Sequence, residues 1–413
     1  MTISKDVLRL IMSYFINDIK DICTLRLVSK FFNKTIADAK TWTYFNSVIV
    51  YTDLANIVAN YDNIHWYHGL IYIYETIGQK SYGRLERLKQ VKTYHRQLMI
   101  IIKDPIVADL STFGNIHTVD LSGTAVTDVS ALANVHTLNL SDSIVVDVSP
   151  LTNVHTIDLT HTGVTDVSAL TNVHSLDLTR TEVIDVSVLT NVHTINLTHT
   201  KVRDVSALAN AYDVNLSYTE VRYVGDLTNV HTLNLFYTKV SDVSALTNVH
   251  TLNISRTRVT DVSALGNVYN LNISYTQVTD VSALGNVRHL NASNTNVTDV
   301  SALGKLYSLN LRCTEVTDVS ALTNVHTLDL GYTKVTDVSA LTHVHTLKLR
   351  NTKVVDVSAL SNAHILDLWG TEVVDVSALS HVHTLILRFT DVVDISALTH
   401  VHTLDIEDTR IVV

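Results

Sequence analysis

The feature that most restricts this chain is a repeat with a period of 19 residues. From residue 115 onward, the tripeptide Asn-Val-His or a close variant returns sixteen times without one insertion or deletion. A period this rigid is typical of a solenoid in which each unit stacks on its neighbours. Numbering one unit from its Val, as at Val135, places apolar residues at positions 1, 4, 6, 11, 14 and 17. Positions 4 and 6 alternate with polar positions 3 and 5, which predicts a β-strand.

Three polar positions are nearly constant, and each forms a column along the stack. Position 9 is Thr in fifteen of the sixteen units, and we expect its hydroxyl to turn inward and bond the backbone. Position 13 is Asp in fourteen units, before a Ser at position 15, which predicts an Asx turn or cap. Position 2 is His in twelve units, and the simpler interpretation is solvated or stacked imidazoles at the sheet edge. Calcium on the Asp column and zinc or nickel on the His column are the alternatives. Neighbouring repeats are about 4.8 Å apart, and each contributes a single ligand of one type to its column. That is too few ligands for the coordination shell of calcium or of zinc.

Composition excludes several functions. Thirty basic and 40 acidic side chains give a net charge of −10, which argues against nucleic-acid and anionic-membrane partners. The two cysteines, Cys23 and Cys313, cannot form a disulfide scaffold or a cysteine zinc site. No apolar run reaches the roughly 18 residues of a membrane span, and Lys5 and Arg9 interrupt the apolar stretch that a secretory leader needs. We therefore expect a cytoplasmic protein, with the nucleus as a second compartment.

The unit at residues 135–153 resembles the leucine-rich repeat, L-x-x-L-x-L-x-x-N-x-L, and its Asp-Val-Ser half resembles the return arm of internalin-type repeats. It is shorter than the usual length of about 20–29 residues, and Thr or Ser replaces Asn at position 9. The resemblance implies an α/β solenoid over residues 97–413, with a parallel sheet, short turn or 3₁₀ return arms, and a degenerate first unit at 97–115. Residues 46–96 are then a connector and N-terminal cap, with strands predicted at 48–51 and 70–74.

Residues 1–45 carry a helical pattern instead of the repeat. Leu8, Ile11 and Phe15 share one helical face, and the run Leu-Arg-Leu-Val-Ser-Lys-Phe-Phe at 25–32 resembles the third helix of an F-box. Phe32 stands in the slot usually held by Trp, and Ile3-Ser4 replaces the usual Leu-Pro. The resemblance implies a three-helix F-box that binds the adaptor Skp1 through Ile3, Leu8, Ile11, Phe15, Leu27, Val28 and Phe31. The alternative is a plain helical cap that shields the first repeat.

The sequence contains no arrangement typical of catalysis: no nucleophile paired with a base, no glycine-rich phosphate loop, and no metal spacing outside the columns. We therefore expect a binding protein that is not an enzyme and uses no cofactor or metal. Binding should lie where the repeats differ, at positions 3, 5, 7 and 8 of the strand face. The candidate substrate-binding residues are Arg312, Tyr332, Lys348, Arg350, Trp369, Arg388 and Phe389.

Two interpretations of this face follow from its residue types. Arg350, Trp369 and Arg388 occupy one column on consecutive units, which fits an acidic or phosphorylated segment held by forked Arg bonds. Drift among copied repeats is the alternative. A second candidate surface is the unbroken Asn column at position 5 between residues 196 and 310, flanked by Tyr side chains. That column would equally serve as a stabilising ladder.

The two resemblances together imply the substrate-recognition adaptor of a Skp1/cullin-type ubiquitin ligase, with an unknown protein as its substrate. A leucine-rich-repeat interaction scaffold without a ligase role is the alternative, and an internalin-like adhesin is a third. The scarcity of proline, the richness in Ile, Asn and Tyr, and the near-identical repeats are similar to repeat proteins of giant DNA viruses. That likeness implies a host cytoplasm as the compartment.

Overall fold

The computed structural model describes residues 49–51, 71–75, 98–102, 110, 113–114 and 116–409. The F-box predicted for residues 1–45 lies outside these ranges, as does most of the predicted connector at 46–96. The chain divides into two compact units, residues Met1–Gly163 and Val164–Val413, which we call unit 1 and unit 2.

Unit 1 contains six described strands, and within it consecutive strands pair in parallel, from β1 with β2 to β5 with β6. They are β1 (Ile49–Tyr51), β2 (Ile71–Glu75), β3 (Leu98–Ile102), β4 (Thr118–Asp120), β5 (Thr137–Asn139) and β6 (Thr156–Asp158). β1 and β2 coincide with the two strands predicted before the repeats. Met99 of β3 lies opposite Thr118 of β4, so the degenerate first unit keeps the 19-residue register.

Unit 2 contains thirteen described strands of three residues, again parallel and in chain order. They are β7 (Ser175–Asp177), β8 (Thr194–Asn196), β9 (Asp213–Asn215), β10 (Thr232–Asn234), β11 (Thr251–Asn253), β12 (Asn270–Asn272), β13 (His289–Asn291), β14 (Ser308–Asn310), β15 (Thr327–Asp329), β16 (Thr346–Lys348), β17 (Ile365–Asp367), β18 (Thr384–Ile386) and β19 (Thr403–Asp405). Residues of equal unit position pair, as Leu233 does with Leu252. β4–β19 therefore supply sixteen parallel strands, one per repeat, as predicted for a leucine-rich-repeat array.

The return arm of each repeat is short. In seven described repeats it is a single 3₁₀ turn, and in the others it is a simple turn closed by the same bond from the position 17 N–H to the position 14 carbonyl, as from Leu151 to Val148 (3.0 Å). The 3₁₀ turns are Ser130–Leu132, Ser206–Leu208, Ser263–Leu265, Ser282–Leu284, Ser301–Leu303, Ser358–Leu360 and Ser377–Leu379. These turns confirm the predicted return arm. A 19-residue repeat has no room for a longer helix opposite its strand.

The core consists of the six apolar positions of the repeat. In one repeat, Leu140, Val145 and Leu151 are fully buried, and the same positions are buried in the described repeats before residue 395. Near the end of unit 2, Ile395, Val401, Leu404 and Ile406 are half-buried. The Thr column at position 9 is buried beside them: the hydroxyl of Thr276 donates to the carbonyl oxygen of Ile273 at 2.6 Å. The inward Thr predicted from the sequence is confirmed: its bond gives the buried hydroxyl a backbone partner, at a carbonyl that in most repeats also accepts from the N–H of position 9, as Leu197 does from Thr200 at 3.0 Å.

Position 8 has an unusual backbone. All sixteen residues there have a positive φ, between 51° and 60° for the fourteen that are not glycine, and 71° and 67° for Gly123 and Gly370. This left-handed conformation turns the chain from the end of the strand toward the inward Thr. The aromatic side chains at this position, Tyr218, Tyr237, Tyr275, Tyr332 and Phe389, are all exposed.

Candidate interaction surface

A backbone cap at position 5 holds the ends of the strands β4–β19 except β16 and β18, where position 5 is Lys348 and Ile386. The Oδ1 atom of Asn or Asp there accepts a hydrogen bond from the N–H of position 7, for example from Ser255 to Asn253 at 3.1 Å and from Gly331 to Asp329 at 2.9 Å. Every member of the Asn column from 196 to 310 makes this bond. The column therefore stabilises the fold, which was one of its two predicted roles.

The Asp column at position 13 caps the return arm. The Oδ1 atom of Asp299 accepts a hydrogen bond from the N–H of Ser301 at 2.9 Å. The other thirteen Asp residues of the column accept the same bond. The predicted Asx turn is confirmed. The bond from Ser301 holds the pKa of Asp299 below its usual value, although the charges of Asp280 and Asp318 act in the opposite direction.

The His column at position 2 is a stack of rings. In unit 1 the rings of His117, His136 and His155 lie 4.4 and 4.5 Å apart between centroids. In unit 2 three Tyr residues take the place of His and stay within the stack, as Tyr212 does 4.5 Å from His231. The stacking predicted as the simpler interpretation is confirmed.

The stacked environment disfavours protonation. Burial, followed by the charge of His117, lowers the pKa of His136. Burial followed by the charges of His364 and His402 lowers the pKa of His383. A row of like charges at this spacing repels itself, so the folded state resists acid at these rings.

Acidification from about pH 7.5 to 5.5 is expected to lower the melting temperature, because these rings have folded pKa values below the unfolded value of about 6.5. The unfolded chain then binds more protons, and stability is lost as the pH falls through that value. Replacing His136 and His383 with Tyr, the residue that already stands at three other positions of the column, should reduce the loss, because it removes two rings with a lowered pKa. Differential scanning calorimetry at both pH values tests this. An unchanged loss in the double variant would exclude the His column as its source.

A ridge of rings lies at the other end of the strands, in the middle of unit 2. Tyr218 stacks on His199 with centroids 4.2 Å apart, and Phe236 meets the Tyr218 ring edge-on at 5.1 Å. The guanidinium of Arg256 lies 4.2 Å from the centroid of Tyr275. The ring of Tyr237 lies 5.1 Å from that of Tyr218, and Tyr218, Tyr237 and Tyr275 are all exposed. We call this set, from His199 to Tyr275, the central ridge.

The predicted substrate-binding residues lie on one face of unit 2, but their charges are largely engaged within the chain. The guanidinium of Arg312 lies 4.2 Å over the ring of Tyr332. The Nε atom of Arg350 lies 2.5 Å from Oδ2 of the buried Asp367. Lys348 is exposed at position 5 of β16.

Arg388 lies beside two carboxylates of the next repeat. Its Nε atom is 3.2 Å from Oδ1 of Asp405 but is buried without a hydrogen-bond partner, and its Nη2 atom pairs with Glu407. The acidic-segment hypothesis requires free, forked guanidinium groups. Arg350 and Arg388 instead lie against carboxylates of the following repeat.

An apolar group interrupts the polar columns of β17 and β18. Ile365 is the only apolar residue at position 3 of the sixteen repeats, and Ile386 is the only one at position 5. Trp369 and Phe389, which follow the same two strands, meet edge-on with centroids 5.3 Å apart. We call these four residues the apolar patch. Sequence reasoning named the two aromatic residues but missed both isoleucines, whose signal was an apolar residue in an otherwise polar column.

The remaining predicted contacts fall elsewhere. The Skp1-binding candidates Ile3, Leu8, Ile11, Phe15, Leu27, Val28 and Phe31 lie outside the described residues. Within the described ranges, no three His, Cys, Asp or Glu side chains are arranged to hold a metal ion. The same part of the chain forms no helix with the length and hydropathy of a membrane span.

The fold is that of leucine-rich-repeat proteins, as comparison with solved structures shows. The internalin InlF of Listeria monocytogenes matches at 20% identity, over 78% of this chain and 93% of that one, with a TM-score of 0.53. The functional domain of InlJ from the same organism, which includes a cysteine ladder, matches at 21% identity over 70% and 71%, with a TM-score of 0.58.

A leucine-rich-repeat protein of Leptospira interrogans matches at 16% identity, over 75% of this chain and 94% of that one, with a TM-score of 0.57. No protein-family model matches the sequence, and no curated protein matches it either. The present chain has one described cysteine, Cys313 at position 8, in place of the cysteine ladder of InlJ.

Proposed function

We propose that this chain is a protein-interaction scaffold whose strand face in unit 2 binds a protein partner. The observation that carries the proposal is where the repeats differ. The six core positions, the inward Thr and the Asp cap recur almost unchanged, whereas the strand face changes from Thr and Asn to Ile, Trp, Arg and Phe at β16–β18. Exposed aromatic and Arg side chains on a rigid support are the residue types that contribute most to protein interfaces.

The finer proposal concerns what the scaffold serves. The sequence at 25–32, with Ile11 and Phe15 before it, supports an F-box that binds Skp1, so that unit 2 presents a substrate to a cullin-type ubiquitin ligase. In this arrangement the chain itself carries no active site. The two halves of the function are separable, because interactions in a solenoid couple mainly to near neighbours.

The experiment is calorimetric titration of the purified full chain with purified Skp1, in the unmodified protein and in the double variant Ile11→Asp, Leu27→Asp. We expect binding by the unmodified chain and a loss of at least about a hundredfold in the variant, since a charge in an apolar contact loses its hydration. The matched control is Trp369→Ala, which should leave Skp1 binding unchanged.

The outcomes separate the two levels of the proposal. Circular dichroism melting should show that the solenoid of the double variant remains folded. Skp1 binding that survives in the double variant would exclude the F-box assignment. Failure of the unmodified chain to bind Skp1 would exclude the ligase role and leave the interaction scaffold without it, which is the second candidate function.

A further inference from the structure

We propose that the apolar patch, Ile365, Trp369, Ile386 and Phe389, is the anchor point of the partner, and that it takes a segment with a bulky apolar side chain and no excess of acidic or phosphorylated residues. This inference rests on the proposed function, because it names the class of partner that the strand face of unit 2 receives. It differs from the acidic partner expected from the Arg residues alone.

The placement of the four residues supports a single contact area. Ile386 of β18 lies opposite Asp367 of β17 in the sheet register, and Ile365 lies opposite Thr384. The two isoleucines are thus on the same face of neighbouring strands. Trp369 and Phe389 follow those strands; the Phe389 residue is 54% exposed, whereas Ile365, Trp369 and Ile386 are half-buried. Apolar side chains on two adjacent rungs, beside an edge-on aromatic pair, make the kind of cluster that a partner's apolar side chain can bury.

Charge balance decides against an acidic partner. Between residues 310 and 408, positions 5, 7 and 8 carry four cations, Arg312, Lys348, Arg350 and Arg388. The same positions carry five carboxylates, Asp329, Asp367, Asp405, Glu407 and Asp408. The formal sum, 4 − 5, is −1. The two Arg residues nearest the patch are paired with carboxylates of the chain itself. An acidic segment would have to displace those pairs, whereas an apolar side chain would not.

The same ion pairs give the patch its border. Arg350 with Asp367 lies on one side of Trp369, and Arg388 with Asp405 and Glu407 lies on the other. Side chains that are already paired within the chain lose less conformational freedom when a partner binds. An apolar centre with a polar, internally neutralised border therefore fits a partner that contributes one buried anchor.

The test is selection of binders from a random-peptide display library on the full chain, with a parallel selection from peptides containing phosphoserine. Selected peptides are then titrated against two variants. In the first, Ile365→Thr and Ile386→Asn restore the commonest residue of each column, and the amide introduced in place of Ile386 would also be able to cap the following turn as its neighbours do. In the control, Val355→Thr and Val374→Thr remove two valines that are 54% and 51% exposed at position 12, away from the strand face.

We expect the selected peptides to share a bulky apolar residue without an excess of Asp, Glu or phosphoserine. Their affinity should fall at least about tenfold in the patch variant and stay unchanged in the control. Selection of acidic or phosphorylated peptides, or equal affinity in the patch variant, would overturn the inference.

Two other results distinguish this inference from the proposed function. If the selected peptides lose affinity in a Tyr218→Ala, Tyr237→Ala variant of the central ridge instead, unit 2 binds protein but the patch is not its anchor. If no peptide is selected on any variant, both the patch and protein binding by the strand face are contradicted. Skp1 binding is measured in every variant and should not change.

Discussion

Replacing Leu328 with Ala is expected to destabilise the solenoid by about 2–5 kcal/mol. Leu328 is fully buried at position 4 of β15, between Leu309 and Leu347 of the adjacent strands. Removing its side chain loses the transfer free energy of the deleted groups and leaves a cavity that the flanking rungs close only in part. Equilibrium unfolding in urea measures the change.

The matched control is Thr327→Ala, one residue earlier on the half-buried strand face, where the change should stay within about 0.5 kcal/mol. Because each rung contacts its neighbours, amide hydrogen exchange in the Leu328 variant should accelerate first around β14–β16. Equal destabilisation by the two substitutions would contradict the assignment of position 4 to the core and position 3 to the surface.

Replacing Arg350 with Met is expected to cost about 2–3 kcal/mol. The Asp367 side chain is only 3% exposed, and Arg350 is its charge partner, so the substitution leaves a buried carboxylate without that partner, although its Oδ1 still accepts from the N–H of Trp369. An uncompensated buried charge is costly. The Arg350 side chain is itself 43% exposed, which keeps the estimate at the lower end of the range for buried pairs.

The reverse substitution should be mild. Asp367→Asn places at position 5 the commonest residue of that column, whose Oδ1 can still accept from the Trp369 N–H, and it releases Arg350 to solvent. A cost below about 1 kcal/mol is expected. The double variant Arg350→Met, Asp367→Asn should regain most of the stability lost by Arg350→Met alone. A double-mutant cycle by urea unfolding measures this asymmetry, and additive costs would show that the pair does not interact.

Much of the fold could be predicted from the sequence because the repeat enforces it. The constant period determines the strand register, and the alternation along each strand determines which residues are buried. Leu138 and Leu140 therefore point inward, as do the residues at positions 4 and 6 of the other repeats. The inward hydroxyl at position 9 and the Asx turn at position 13 could also be predicted, because both are local bonds between residues two or three apart. Thr276 and Asp299 illustrate them.

The candidate site was less predictable, because its contacts join different turns. The pairing of Arg350 with Asp367 links residues 17 apart, and which oxygen the guanidinium reaches depends on side-chain geometry that residue spacing does not determine. Counting charges by column therefore overstated the free positive charge. Ile365 and Ile386 were overlooked for a different reason: an isoleucine in a strand is ordinary, and it becomes informative only when its column is otherwise polar.

The left-handed backbone at position 8 limits how this surface can diversify. A branched β-carbon is disfavoured at a positive φ, and position 8 contains no Val, Ile or Thr in any of the sixteen repeats. The residues that do occur there are Gly, Asp, Asn, Cys, His, Arg, Tyr and Phe. As copies diverge, mutations to common aliphatic residues are therefore filtered out at this column by folding, before any partner exerts selection. The backbone conformation at position 8 thus enriches one border of the strand face in aromatic and polar residues. These are the residue types from which new binding surfaces can form.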